Sequence, residues 1–203
     1  NGHKTTPLSG GFVFFLILVF FLPENYQYFT ILIFFVFLTG LLSDLDILHS
    51  PFFRIIFQII VIVAYLFLFD NFVSSTRLVF FDNLINIFFI KLFFTSFCIL
   101  VLINGTNFID GVNTLVVGYF ILVASNVLYL TEIVGLDLDI LLVSTCLTCL
   151  VVIYIFNFFG KTYLGDGGAY LISFVIGVTL IKFSNNNYLV SPYYIVALLW
   201  YPA

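Results

Sequence analysis

The segment Asn104-Gly-Thr-Asn-Phe-Ile-Asp-Gly-Val-Asn113 is a polar decapeptide that lies between two long apolar runs, at 87–103 and 114–130. An apolar run of this length in a very hydrophobic chain predicts a helix that spans a membrane. Asparagines and an aspartate are costly at such a junction, where apolar residues would serve, so they indicate a site at the membrane surface. The same arrangement recurs at other junctions, and it determines the fold prediction for the whole chain.

The composition is typical of a membrane protein. Of the 203 residues, 63% are hydrophobic and 8% are charged, whereas about 25% of the residues in soluble domains are charged. The net charge of −4 is small and dispersed, which argues against a nucleic-acid partner. We therefore predict an all-α, polytopic transmembrane helical bundle surrounded by membrane lipid. We take residues 1–203 as one domain that is incomplete at both ends, since the chain starts at Asn1 and stops within an apolar run.

The apolar runs predict about eight spans. They cover 12–22, 28–42, 55–69, 87–103, 114–130, 140–156, 169–181 and a last run from about Pro192. Counting the crossings places four polar segments on one face of the membrane, namely 1–11, 43–54, 104–113 and 157–168. Such loops can converge on a single site, although the alternative is that polar loops simply face water. Charge does not orient the bundle, because three basic side chains lie on each side.

The first candidate site residues are Asn107 and Asp110. They are three positions apart, which places both on one face if the following helix begins early. Amide and carboxylate oxygens are the ligands that Mg²⁺ prefers, and Mg²⁺ usually takes one or two carboxylates plus substrate phosphates. The alternative is that both side chains only cap the following helix.

A second candidate is Leu164-Gly-Asp-Gly-Gly168, which places Asp166 among three glycines at the start of a helix. Glycines leave room for a phosphate, and free N–H groups at a helix N-terminus favour its charge. The alternative is a tight turn, but the upstream Asn157 and Lys161 strengthen the phosphate-site interpretation.

A third candidate is the pair Asp44 and Asp46, which flank one residue. We favour Asp44 for the site because it lies nearer the membrane end, and we expect Asp46 to point to solvent. His3 and His49 are interpreted as surface histidines.

Together, these segments resemble the polyprenyl-phosphate N-acetylhexosamine-1-phosphate transferase family. The matching segments are His3-Lys-Thr-Thr-Pro-Leu-Ser-Gly-Gly11, Gly40-Leu-Leu-Ser-Asp44 with Ser50, Pro51, Arg54 and Gln58, Asn104-x-x-Asn107-x-x-Asp110-Gly111, and Asn157 with Leu164-Gly-Asp-Gly-Gly168. They follow the order of the family and cover nearly the whole chain. There are two departures: Ser43 stands where the family usually has the first aspartate of a pair, and Asn113 replaces another usual aspartate.

The resemblance implies that the phosphate of a polyprenyl phosphate, such as undecaprenyl phosphate, attacks the β-phosphate of a UDP-N-acetylhexosamine and releases UMP. It also implies a Mg²⁺ cofactor, for which Mn²⁺ could substitute. The implied metal ligands are Asn107 and Asp166, and the implied catalytic residues are Asp44 and Asp110. The implied substrate-binding residues are Lys4, Asn104, Asn157 and Lys161. Because UDP-sugars are cytosolic, the resemblance places the four polar segments on the cytoplasmic side of a multi-pass protein of the inner cell membrane. Whether the chain forms a homodimer stays open.

The serine at position 43 raises the question of a general base. The second pKa of a phosphomonoester is about 6, so a lipid phosphate is mostly dianionic at pH 7 and needs no dedicated base. Asp44 and the metal would then position the nucleophile, and we expect Ser43→Ala to keep activity within about tenfold.

A transporter or channel is the alternative function, because polar side chains within membrane proteins can line an ion path. It predicts polar residues near the span centres and broken helices. In this sequence the polar groups cluster at one face instead, which favours the transferase.

Overall fold

The computed structural model describes residues 9–111 and 114–202, which form nine α-helices and no strand. The helices are α1 (Gly10–Phe21), α2 (Gln27–Asp44), α3 (Pro51–Phe69), α4 (Val79–Ile85), α5 (Phe88–Ile109), α6 (Leu115–Val134), α7 (Ile140–Phe158), α8 (Gly165–Asn186) and α9 (Pro192–Leu199). A short 3₁₀ turn, Glu24–Tyr26, precedes α2. The prediction of an all-α bundle is therefore confirmed.

Within the described residues, six helices are long and apolar enough to cross a membrane, namely α2 with its preceding turn, α3, α5, α6, α7 and α8. The first helix, α1, has 12 residues and the last, α9, has 8. At 1.5 Å per residue they measure about 18 and 12 Å, which is short of a hydrocarbon core of about 30 Å. The predicted eight spans therefore correspond to six membrane-length helices and two shorter apolar ones.

Helix α8 lies at the centre of the bundle. It packs against α1, α2 and α5, while α6 packs against α7. Between Gly165 and Leu180, every residue of α8 except Asp166 is buried. A helix that is apolar on all sides suits such a central position. Asp166 in its first turn is therefore held at one end of the core, which we call the site end.

Glycines let α1 and α2 approach α8 closely at the site end. A Cβ atom on Gly40 would lie 2.4 Å from the Cα atom of Gly167. A Cβ atom on Gly11 would lie 2.4 Å from the backbone nitrogen of Gly168. Because both distances are far shorter than a van der Waals contact, no larger side chain fits at Gly40 or Gly11 in this packing.

The start of α1 is bonded to the segment that precedes α8. The backbone N–H groups of Gly10 and Gly11 donate to the carbonyl oxygens of Tyr163 and Leu164, at 2.9 and 3.0 Å. These N–H groups belong to the first turn of α1, where a helix offers them no internal acceptor. These hydrogen bonds hold the N-terminal end of α1 at the site end.

Three helices extend further into the polar segments than the sequence predicts. Helix α2 ends at Asp44, α5 continues through Asn104 and Asn107, and α7 continues through Asn157. The side chain of Asn104 shows why, because it donates to the Oε1 atom of Gln58 on α3 and to its own helix. A polar side chain that finds partners inside the bundle does not end a helix. The predicted placement of Asn107 and Asp110 on the following helix is wrong, since they lie at the end of α5.

Candidate active site

Asp44, the last residue of α2, lies beside the first turn of α8. Its Oδ1 atom accepts a hydrogen bond from the backbone nitrogen of Asp166 at 2.8 Å, and its Oδ2 atom accepts one from Gly167 at 3.1 Å. N–H groups in a first turn lack partners within their own helix, and negative charge there is favourable. Asp44 therefore caps α8 from a neighbouring helix. Gly165 makes room for this cap, since its φ is +73° and a Cβ atom there would lie 2.8 Å from Asp44 Oδ2.

This cap corrects one expectation about the glycine-rich segment. The N–H groups of Asp166 and Gly167 were expected to be free for a phosphate, but both already donate to Asp44. The space beside Gly167 and Gly168 is likewise filled by α1 and α2. The glycines therefore serve helix packing at this point, and a phosphate has to be bound by other groups.

The carboxylate of Asp166 is held by Ser43 and Arg54. The Ser43 hydroxyl donates to Asp166 Oδ2 at 2.6 Å, and Arg54 Nη1 donates to Ser43 Oγ at 2.6 Å. Arg54 Nη1 also lies 3.3 Å from Asp166 Oδ2, which makes an ion pair between side chains that are 21% and 29% exposed. Arg54 belongs to one of the sequence segments that resemble the family, but the segment alone indicates no role for it. Its position in the first turn of α3, next to a polar loop, was the available signal.

Asn107, in the last turn of α5, and Asp110, directly after that helix, both reach the site. The Oδ1 atom of Asn107 is buried and has no hydrogen-bond partner among the residues that the structure describes. Burial raises the pKa of Asp110 to about 7, and the negative charges of Asp166 and Asp44 contribute to this rise. A positive charge near this carboxyl group would stabilise its ionised form.

These side chains line a cavity of about 400 Å³ at the site end. Its lining residues are Asp44, Asn107, Asp110, Gly111, Asn157, Tyr163, Leu164, Gly165 and Asp166. Five of the eight site residues predicted from the sequence are thus brought together, from α2, α5, α7 and α8.

Asn157 and Asn104 take positions that the sequence did not reveal. Asn157 is 3% exposed, and its Oδ1 atom accepts a hydrogen bond from the backbone nitrogen of Thr114 at 3.0 Å. It therefore positions the start of α6 and also lines the cavity. Asn104 does not line the cavity, because its amide is bonded to Gln58 at 2.8 Å. This hydrogen bond joins α3 and α5, and the substrate contact of Asn104 stays a prediction.

Of the two predicted basic ligands, Lys161 is among the described residues, and it lies outside the cavity wall. Lys161 is exposed in the loop between α7 and α8 and is absent from the lining residues. Lys4 and His3 fall outside the described residues. Asp46 and His49 are both exposed, in agreement with the interpretation that they face solvent.

The cavity offers a donor set that suits a hard divalent cation. Asn107 supplies an unpartnered buried oxygen, and Asp110 and Asp166 supply carboxylates. The described residues contain no group of three or more His, Cys, Asp or Glu side chains close enough to hold a metal. Mg²⁺ does not need such a group, because it commonly binds one or two carboxylates, water and substrate phosphates. The residues therefore fit Mg²⁺ bound together with a phosphorylated substrate.

The Asp44 cap leads to a prediction about stability. We expect Asp44→Ala to lower the free energy of unfolding by about 1–2 kcal/mol, as the loss of a helix cap does. The matched control is Asp110→Asn, which should leave the stability unchanged or raise it, because a raised carboxyl pKa means that folding disfavours the charged form. Thermal unfolding in detergent at pH 8 measures both variants. Equal losses in the two would contradict a capping role for Asp44.

The fold and the cavity together define a class, namely a multi-pass helical membrane protein with a carboxylate-lined site at one end of its bundle. The family profile named Glycosyl transferase family 4 matches residues 26–184. The chain belongs to this family, which comprises polyprenyl-phosphate hexosamine-1-phosphate transferases. No curated protein and no solved structure matches the chain.

Family membership establishes the general reaction. The chain is a membrane-embedded glycosyl-phosphate transferase that uses a nucleotide-sugar donor and a lipid-phosphate acceptor. The predicted family is confirmed, and the matched residues contain three of the four sequence segments that indicated it. The matched region, residues 26–184, includes all the residues that line the cavity.

Proposed function

We propose that the chain transfers the sugar-1-phosphate of a UDP-N-acetylhexosamine to a polyprenyl phosphate of the undecaprenyl type, with Mg²⁺ as cofactor. A phosphate oxygen of the lipid forms a bond to the β-phosphorus of the donor, and the bond between that phosphorus and the bridging oxygen breaks. UMP leaves with the bridging oxygen, and the product is a lipid-linked sugar pyrophosphate. The observation that carries the proposal is the cavity at the end of the bundle, which is lined by three carboxylates and an unpartnered amide oxygen.

Electrostatics explains why such a site suits this reaction. Both substrates are anions, and the cavity itself carries Asp44, Asp110 and Asp166. A bound divalent cation would offset the repulsion and stabilise the charge that develops on the pyrophosphate. Asn107, Asp110 and Asp166 would hold it. Arg54 lies 3.3 Å from Asp166 and offsets part of its charge, so it helps to orient that carboxylate.

The remaining residues orient the substrates. Asp44 holds the first turn of α8 and presents its carboxylate at the cavity wall, where it would position the lipid phosphate. Asn157 fixes the start of α6. Lys161 lies in the loop that leads to Tyr163 in the cavity wall, and we assign Lys161 and Lys4 to the phosphates of the donor. Placing reactants in this way is a large part of catalysis of phosphoryl transfer.

The proposed reaction predicts release of UMP. The full chain in detergent, supplied with undecaprenyl phosphate and a panel of UDP-sugars, should release UMP with a UDP-N-acetylhexosamine and not with UDP-glucose. Release should stop when EDTA is added and return with excess Mg²⁺ or Mn²⁺, because the carboxylates alone repel the donor pyrophosphate. Turnover that continues in chelator would refute the metal dependence. Equal turnover with CDP-activated donors would refute the assignment to UDP-sugars.

We also propose that the site end faces the cytoplasm, where UDP-sugars occur. In a background without Cys98, Cys146 and Cys149, a cysteine at the exposed position His49 should react only with reagent on the cytoplasmic side. A cysteine at the exposed position Ser74, beyond the other end of α3, is the matched control and should react only from outside. Labelling of His49→Cys from outside sealed cells would overturn the orientation.

A further inference from the structure

The hydroxyl of Ser43 bridges two charged groups. A serine hydroxyl has one donor and two acceptor sites. Here it donates to Asp166 Oδ2 and accepts from Arg54 Nη1, both at 2.6 Å. The direct distance from Arg54 Nη1 to Asp166 Oδ2 is 3.3 Å, longer than the usual 2.7–2.9 Å of a bond between charged partners. The serine therefore stands where a closer contact between arginine and aspartate would otherwise form.

We propose that Ser43 is a positioning residue that acts as a spacer. It prevents the guanidinium of Arg54 from closing on Asp166, and so keeps one side of that carboxylate available to a divalent cation. The proposal rests on the function proposed above, in which Asp166 is a ligand of that cation. It gives the serine a positioning role at the place where the family usually has an aspartate.

The preference of arginine for paired contacts is the physical reason. A guanidinium matches a carboxylate with two parallel N–H bonds, and such a pair occupies both carboxylate oxygens. In this site only Nη1 contacts Asp166, and it contacts only Oδ2. A cation arriving at Asp166 would have to displace a closed pair, whereas the bridged arrangement leaves Oδ1 without a hydrogen bond among the described residues.

The backbone holds the spacer in place. Ser43 lies in the last turn of α2, and the next residue, Asp44, is bonded to the backbone of Asp166 and Gly167. Ser43 is thus tied to α8 through its neighbour and cannot move away from Asp166 without breaking the helix cap. A short side chain on a fixed backbone is well suited to keep two charged side chains apart.

The proposal is tested by Mn²⁺ binding, because Mn²⁺ accepts the same oxygen ligands and its free form is measured by electron paramagnetic resonance. The full chain in detergent is titrated as wild type, Ser43→Ala, Ser43→Thr, Arg54→Gln and the double variant Ser43→Ala with Arg54→Gln. Ser43→Ala should weaken Mn²⁺ binding about tenfold, as the loss of a group that orients a metal ligand does. Ser43→Thr keeps the hydroxyl and should stay within about twofold of the wild type.

The double variant separates spacing from a direct effect of the hydroxyl. Without the arginine there is nothing to hold apart, so Ser43→Ala should change the affinity of Arg54→Gln by less than about twofold, which is a coupling between the two positions. If melting curves show that Arg54→Gln is unfolded, Arg54→Met, which is also uncharged, takes its place. An equal loss in both backgrounds would mean that Ser43 acts on Asp166 directly, and would overturn the spacer.

Stability without metal gives a second readout. In EDTA, Ser43→Ala should melt no lower than the wild type, since Arg54 then pairs closely with Asp166. A merely structural serine would instead lower the melting temperature together with the affinity, and that result would overturn the proposal. Because neither readout needs turnover, they also separate the two proposals. If the variants show the expected coupling in Mn²⁺ binding but the wild type releases no UMP, only the transferase assignment is refuted. If the wild type releases UMP without binding Mn²⁺, the spacer role of Ser43 is refuted.

Discussion

Asp166→Asn should reduce the turnover of the enzyme at least about a hundredfold, the scale of losing one preorganised electrostatic element. Asparagine has nearly the same shape and still accepts the hydrogen bond from Ser43, which the wild type makes at 2.6 Å. It lacks the negative charge that pairs with Arg54 at 3.3 Å and that would bind the cation. The expected loss therefore comes from charge and not from packing. The measurement is the rate of UMP release with both substrates saturating.

Asp46→Asn is the matched control for this variant. Asp46 lies two residues from Asp44, but it is exposed and its φ is +53°, a conformation that asparagine adopts readily. It should keep the wild-type rate. The melting temperature of Asp166→Asn should stay close to that of the wild type, which shows that the protein is folded. If the rate of UMP release falls less than tenfold in Asp166→Asn, the central role assigned to Asp166 is wrong.

Gly40→Ala should prevent the bundle from folding around α8, or destabilise it by at least about 3 kcal/mol, the upper range for overpacking a core. The added methyl group would lie 2.4 Å from the Cα atom and 2.5 Å from the nitrogen of Gly167. Both are backbone atoms of a central helix, so no side chain can rotate to relieve the contact. The expected result is aggregated protein in size-exclusion chromatography, or a large fall in melting temperature.

The control for Gly40→Ala is Gly111→Ala. A Cβ atom at Gly111 would meet nothing within 4 Å, so this variant should melt like the wild type. Because both changes add one methyl group at the site end, the comparison isolates the close approach of α2 and α8. If both variants melt alike, the described helix packing at Gly40 is wrong.

Much of the architecture could be predicted from the sequence, because each step depends on a local pattern. Apolar runs identify membrane-length helices, and counting them assigns the polar junctions to one end. The sequence therefore predicts one site that contains Asp44, Asn107, Asp110, Asn157 and Asp166. All five line the cavity. The helix ends were less predictable, since Asn104 and Asn157 continue their helices by bonding to neighbours that local polarity does not reveal.

The specific partners of the charged groups could not be predicted. Whether Asp44 faces a phosphate or the backbone of α8 depends on how closely α2 packs, and that distance is set by Gly40 against Gly167. The contact between Arg54 and Asp166 likewise joins residues 112 positions apart. Such contacts follow from the tertiary packing of three helices, which no pattern within a single segment encodes.

The central position of α8 has a consequence for biogenesis. Among the described residues it follows the other five membrane-length helices in chain order, yet α1, α2 and α5 pack around it. Synthesis proceeds from the N-terminus, so these helices enter the membrane before the one that they surround. Until Gly165 and the residues after it arrive, Asp44 lacks the N–H groups that it caps. A ribosome-bound chain that has inserted these five helices but not α8 therefore carries Asp44 and Asp110 but no assembled cavity, and the site forms only once α8 is inserted.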